Sequence, residues 1–101
     1  MIILTAALKA KKDKKADVEK ILVHMVSETA QEEGALEYRL HKSTSKPGCF
    51  FFYEKYTRQA AIDAHVASAH YKVLEESLDE LLEEAPAIEL YDFIDGIPEN
   101  K

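Results

Sequence analysis

The sequence predicts an α+β fold whose elements run β-α-β-β-α-β through a single domain covering residues 1–101. Three observations carry this. Two long stretches repeat apolar residues at three- and four-residue steps, as helices with one buried face do. Four shorter stretches are apolar runs or alternate with period two, as strands do. The three glycines and three prolines fall between these stretches and hardly enter them.

The elements follow in order. Residues 2–10 are a short, partly β-branched apolar run and read as a buried strand. From about Ala16 to Glu33, Val18, Ile21, Leu22, Met25, Val26 and Thr29 form one stripe, so a helix is expected. Asp13 or Asp17 is expected at its start, and Gly34 at its end in a left-handed conformation. Leu36, Tyr38 and Leu40 alternate with Glu37, Arg39 and His41, the pattern of a half-covered strand. Ser43 to Gly48 is a turn by composition, and Cys49 to Tyr56 is the third strand. A second amphipathic pattern spans about Thr57 to Leu82. Ile62, Val66, Ala69 and Val73 form its inward line, and a break is expected near His70–Lys72, where the line shifts to Leu74, Leu78 and Leu82. Ala87 to Ile94 is the last strand.

This order is that of the ferredoxin-like split βαβ unit, and right-handed crossovers place both helices on one face of a four-stranded antiparallel sheet. The third strand then poses a problem. Phe50 and Phe52 point to one side, Phe51 and Tyr53 to the other. Helices on one face cannot shelter both rows. Each aromatic buries about 150–250 Å², so a wet row is costly and invites association. A homodimer, sheet against sheet, is the expected solution.

Composition narrows the function classes. Hydrophobic residues make up 47 % and charged residues 32 %, too apolar for a disordered tail. There is no apolar run of the roughly 18 residues a membrane span needs, and no signal-peptide pattern. One cysteine, Cys49, allows no internal disulfide, so a cytoplasmic location is expected. A net charge of −6 argues against a nucleic-acid partner, which calls for a basic surface. Charge is nevertheless segregated: residues 9–15 hold five lysines, whereas Glu75 to Glu99 holds ten acids and no base. The lysines are read chiefly as solvated loop surface, with a lip for an anionic substrate as the alternative.

Familiar cofactor motifs are missing from the chain: it has neither a glycine-rich phosphate loop nor a Cys-x-x-Cys pair. His65 and His70 are five apart, about 140° around a straight helix, so no metal set is expected unless a kink brings them together. His24 falls on the solvated side of the first helix and His41 on the outer sheet face or strand end. His65 and His70 fall at the boundary of the second inward line, either packed or poised for proton transfer. Glu54 shares its strand face with Phe50, Phe52 and Tyr56. There a carboxylate loses hydration and its pKa rises, unless it pairs with Arg39, Lys55 or Arg58. Tyr38 and Tyr56 supply hydroxyls on the same sheet.

The stretch from Phe52-Tyr53-Glu54-Lys55-Tyr56 through Ala61, His65, Ser68 and His70-Tyr71 resembles the antibiotic biosynthesis monooxygenase family, as does Leu36 to Ser43. Members commonly show Tyr-Glu-x-Trp followed by Ala-x-x-x-His-x-x-Ser-x-His-Phe. The closest resemblance is to small quinol monooxygenases and autoinducer-processing proteins. The resemblance implies a dimeric α+β barrel and oxygenation or isomerisation of a small substrate without metal, flavin or haem. It further implies Glu54, His65 and His70 as catalytic groups, with Phe52, Tyr56, Tyr38 and Tyr71 around the substrate. Tyr56 stands where many members have tryptophan, and the first strand lacks the asparagine of the haem-degrading branch.

Triplet oxygen attacks closed-shell organics slowly, so cofactor-free oxygenation needs an electron-rich phenolate or enolate. The protein must then supply a base, a donor for the anion and a dry pocket. Glu54 or His65 fits the base, and the other histidine or Tyr56 the donor. The expected function is thus a cofactor-independent monooxygenase taking molecular oxygen and a small quinol-like or polyketide-like aromatic. The alternatives are an isomerase for a small hydroxylated or phosphorylated carbonyl compound, and a non-catalytic dimeric binding or stress protein.

Overall fold

The computed structural model describes residues 1–98. Its elements are β1 (Ile2–Lys9), α1 (Lys15–Thr29), β2 (Ala35–Lys42), β3 (Cys49–Tyr56), α2 (Gln59–Ala67), α3 (Ala69–Leu78) and β4 (Ala87–Asp92). The four strands form one antiparallel sheet in the order β2-β3-β1-β4. With α2 and α3 taken as one interrupted helical segment, this is the ferredoxin-like β-α-β-β-α-β arrangement.

Register decides which residues share a face. Leu4, Ala6 and Leu8 of β1 lie opposite Glu54, Phe52 and Phe50 of β3. Tyr38 and Leu40 of β2 lie opposite Glu54 and Phe52. These even-numbered positions face the helices and, with Val18, Leu22, Ile62, Leu78 and Leu82, build the core. The odd-numbered positions Phe51, Tyr53 and Lys55 face the other way. Phe51 is 42 % exposed while Phe52 is 2 % exposed, so the two aromatic rows separate as alternation requires.

Helix α1 buries Val18, Leu22, Met25 and Thr29, the stripe its spacing predicts. Its ends differ from expectation. Neither Asp13 nor Asp17 caps it; the N-cap is Lys14 without a side-chain hydrogen bond, and Asp17 instead sits in the first turn, where its negative charge complements the positive end of the helix dipole. The helix stops at Ala30, and Gly34 is not left-handed, since Gly48 (φ +83°) alone among the described residues has a positive φ. Gly34 answers a different constraint. A Cβ there would lie 2.4 Å from Ala61 Cβ, so glycine lets the α1–β2 turn press against α2.

The break in the second helical segment falls at Ser68, slightly before the expected His70–Lys72. Ser68 is extended (φ −70°, ψ 155°). Its hydroxyl donates to the His65 carbonyl at 2.6 Å and accepts from the Tyr71 N–H at 3.2 Å, closing α2 and capping α3. This changes the inward line. Val66 and Val73 are 48 % and 60 % exposed, and Leu78 takes the buried position on α3. His65, expected at the boundary, is 2 % exposed.

The helical layer leaves the helix-side residues of β4 partly uncovered. Ile88 and Leu90 pair with Ala6 and Leu4 yet remain 49 % and 51 % exposed. The gap beside them is the mouth of a cavity. No helix among the described residues is long and apolar enough to cross a membrane.

Candidate active site

A cavity of about 680 Å³ lies between the sheet and α2–α3, with Leu4, Phe52, Tyr38 and Ile62 among its apolar and aromatic walls. Glu54 and His65 are the polar groups deepest in it. Glu54 is placed by strand alternation on the covered face of β3, and His65 by the last turn of α2.

Glu54 is 3 % exposed and accepts a hydrogen bond from the Tyr56 hydroxyl at 2.6 Å. Burial pushes its pKa up to about 7, against the Tyr56 hydrogen bond that favours the anion; the nearby Glu32 charge raises it further. Burial, Tyr56 and Glu32, rather than Arg39, Lys55 or Arg58, set that shift. Arg39 and Lys55 belong to the opposite face, where Lys55 Nζ lies 3.7 Å from Glu37. Glu54 is thus a carboxyl group balanced near neutrality over an apolar cavity.

His65 is held from behind. Its Nδ1 lies 2.8 Å from Glu32 Oε2 and 3.0 Å from Oε1. Desolvation lowers its pKa, while the hydrogen bond and charge of Glu32 oppose that shift. With Nδ1 donating to Glu32, the neutral ring presents a bare Nε2. The rings of Tyr38, Tyr56 and Tyr71 surround it at centroid distances of 5.5, 5.5 and 5.2 Å. Burial raises the pKa of all three phenols, and Glu54 raises it further, so they remain protonated donors at neutral pH.

The structure therefore gathers Glu54, His65, Phe52, Tyr38 and Tyr71 around one cavity. Tyr56 is fully buried and does not line it, acting on Glu54 from beneath. His70 does not line it either. Its Nε2 lies 2.5 Å from Glu32 Oε2, on the side of His65 away from the cavity. His24 is exposed and pairs with Glu28, and His41 Nδ1 lies 3.3 Å from the Phe51 carbonyl on the outer face.

The sequence reading missed Glu32. It falls at the end of the stretch predicted as helix but lies in the α1–β2 turn, because α1 ends at Thr29, and it meets histidines 33 and 38 positions later. The break at Ser68 is what brings both histidines to it. The lysine block makes no lip to the cavity. Among the described residues no Lys or Arg lines it, Glu75, Asp79, Glu83 and Glu84 do, and Lys9 pairs with Glu83 at 3.5 Å.

Known proteins share this architecture. A Deinococcus radiodurans structure, provisionally described as an antibiotic biosynthesis monooxygenase, is 27 % identical, with a TM-score of 0.89 and 97 % of both chains covered. One from Caulobacter crescentus with the same description is also 27 % identical, with a TM-score of 0.87 over 93 % of this chain and 90 % of that one. A Nitrosomonas europaea structure at 20 % identity shares the fold, with a TM-score of 0.90 over 94 % of this chain and all of the other. An uncharacterised protein of Synechocystis sp. is 23 % identical over 90 residues, and the aligned part spans 61 % of its length. The sequence model of the antibiotic biosynthesis monooxygenases matches residues 1–85, from β1 to just before β4; the chain belongs to that family.

Proposed function

We propose that the protein is a cofactor-independent monooxygenase that oxidises a small quinol-like or polyketide-like aromatic in the cavity between sheet and helices. Family membership supports a monooxygenase-like activity. One observation carries the finer reading: Glu54, buried among aromatics, has a pKa near 7 and can take a phenolic proton at neutral pH. The phenolate so formed is electron-rich enough to reduce oxygen. The Tyr38 and Tyr71 hydroxyls stay protonated and supply hydrogen bonds to the anion. The apolar walls keep bulk water from it.

The reaction balances without a separate reductant. A hydroquinone and one O₂ give a hydroxyquinone and one water. One oxygen atom enters the ring, the other leaves as water, and the substrate supplies the electrons. The cavity favours uncharged aromatics over a phosphorylated carbonyl compound, because among the described residues its rim bears acids and no cation. Oxygen uptake with a panel of hydroquinones in chelator-treated buffer tests the reading. We expect turnover that rises with pH through 7 and disappears in Glu54→Gln. No uptake with any member would overturn it.

The reading includes a cytoplasmic homodimer joined through the outer sheet face. Phe51, Tyr91 and Phe93 are 42, 47 and 37 % exposed there, which supports a covering partner. Light scattering should give twice the 11.4 kDa chain mass. A monomer at micromolar concentration would contradict this part.

A further inference from the structure

Behind His65, three donor atoms from three elements converge. Glu32 comes from the α1–β2 turn, His65 from the last turn of α2 and His70 from the first turn of α3. Glu32 Oε2 lies 2.8 Å from His65 Nδ1 and 2.5 Å from His70 Nε2. One ligand atom from each residue falls within 4.8 Å of the others. We propose that Glu32, His65 and His70 form a binding site for one first-row divalent cation of the zinc type, outside the cavity.

Donor chemistry, spacing and access support it. Two imidazole nitrogens and one carboxylate oxygen are a common set for zinc and its neighbours, and unlike the all-oxygen sets of magnesium and calcium. Around a tetrahedral ion with bonds of about 2.0–2.1 Å, ligand atoms sit roughly 3.3 Å apart. To admit the ion, the two Glu32 contacts have to open by about 0.5 and 0.8 Å, a side-chain adjustment within reach of a partly exposed turn carboxylate. The histidines, which a straight helix would hold apart, meet because Ser68 interrupts it. Their ring centroids are 6.1 Å apart. The site is reachable, since the Glu32 and His70 side chains are 17 % and 23 % exposed, with water available for the fourth position. Among the described residues, the ion-pair partners of Glu32 are these two histidines, so no Lys or Arg neutralises it. A cation would also offset its repulsion of Glu54.

The ion bears on the cavity through a tautomer. Without it, His65 Nδ1 carries the proton donated to Glu32 and Nε2 is bare. With Nδ1 bound to the ion, the neutral ring carries its proton on Nε2. Binding turns that nitrogen from an acceptor into a donor and leaves Glu54 as the base. Glu32 and His70 are not cavity-lining residues, so the ion does not meet the substrate.

The test uses the full chain, stripped with chelator, then titrated with zinc by calorimetry and with cobalt by visible absorption. Magnesium serves as the oxygen-preferring control. We expect one zinc per chain, a tetrahedral cobalt band, no magnesium uptake, and at least a tenfold loss of zinc affinity in both Glu32→Gln and His70→Asn. Glu32→Gln keeps an acceptor of the same shape, and His70→Asn alters a partly exposed position, so circular dichroism should show both folded. His24→Ala, which removes an exposed histidine elsewhere, should bind as the parent does. No zinc uptake, or uptake unchanged by Glu32→Gln and His70→Asn, would overturn the proposal. Oxygen uptake in chelated buffer is a separate readout, so failure here leaves the oxygenase reading intact, and the converse also holds.

Discussion

Glu54 and Lys55 are neighbours on one strand and live in different solvents. Glu54 faces the helices, 3 % exposed, with a tyrosine hydroxyl for company and a pKa pushed to about 7. Lys55 faces outward, pairs with Glu37 at 3.7 Å and covers the Phe93 ring at 4.7 Å. The same alternation separates Phe52 from Phe51 and Tyr38 from Glu37. A single β-strand thus makes a reactive face under the helices and an outer face that carries a charge pair, and in the single chain the helical roof distinguishes them. The chemistry belongs to the covered face because desolvation makes a carboxyl group basic; an ion pair in water has no such effect.

The comparison can be broken at several levels. Glu54→Gln should reduce turnover by about 10²–10⁴-fold, the usual contribution of a positioned acid–base group, while the circular dichroism spectrum is unchanged. Glu37→Gln, on the wet face, should leave turnover within about twofold. Phe52→Ala should cost roughly 3–5 kcal/mol in urea denaturation through lost burial and a cavity. Phe51→Ala, measured in the same way at low protein concentration, should cost far less.

Stability against pH separates the faces again. Glu54 holds its proton in the folded state up to about pH 7 but loses it near 4.5 when unfolded. Between those values the folded state binds more protons, so this group's contribution is full below pH 4.5 and is lost as pH rises through 7. The loss amounts to roughly 3 kcal/mol at most. The stability of Glu54→Gln relative to the parent should therefore increase from pH 4.5 to 7.5 and then level off. The smallest effect is expected at Lys55→Met, about 1 kcal/mol or less, because the contact with Glu37 is a loose one at 3.7 Å. A salt series would show that contribution shrinking, whereas the Glu54 term should barely respond.

Much of this was legible from the chain. Period-two alternation over Cys49 to Tyr56 placed Glu54 among aromatics, and period 3.6 placed Val18, Leu22 and Met25 inside. Those are local regularities, set by the covalent geometry of strand and helix. What the sequence did not reveal depends on optional local hydrogen bonds or on contacts between distant segments. The interruption at Ser68 rests on two short-range hydrogen bonds that serine can make but need not make. Moving the break from His70–Lys72 to Ser68 rotated the later residues, which is why Val73 is exposed. Gly34 was legible as punctuation, yet its reason lies in Ala61, whose Cβ would be 2.4 Å from an added methyl group. Gly34→Ala should accordingly push the α1–β2 turn off α2 and loosen Glu32 from His65. Glu32 itself lay off the apolar stripe at the end of the expected helix, and in the structure it is a turn residue, placed by the elements around it.

The central claim is that the helical roof makes Glu54 a base that titrates near neutrality. Carboxyl ¹³C chemical shifts of Glu54, followed by NMR from pH 3 to 9 with Glu37 as the internal wet-face reference, measure it directly. The account predicts a midpoint near 7 for Glu54. A midpoint near 4, the usual glutamate value, would contradict it.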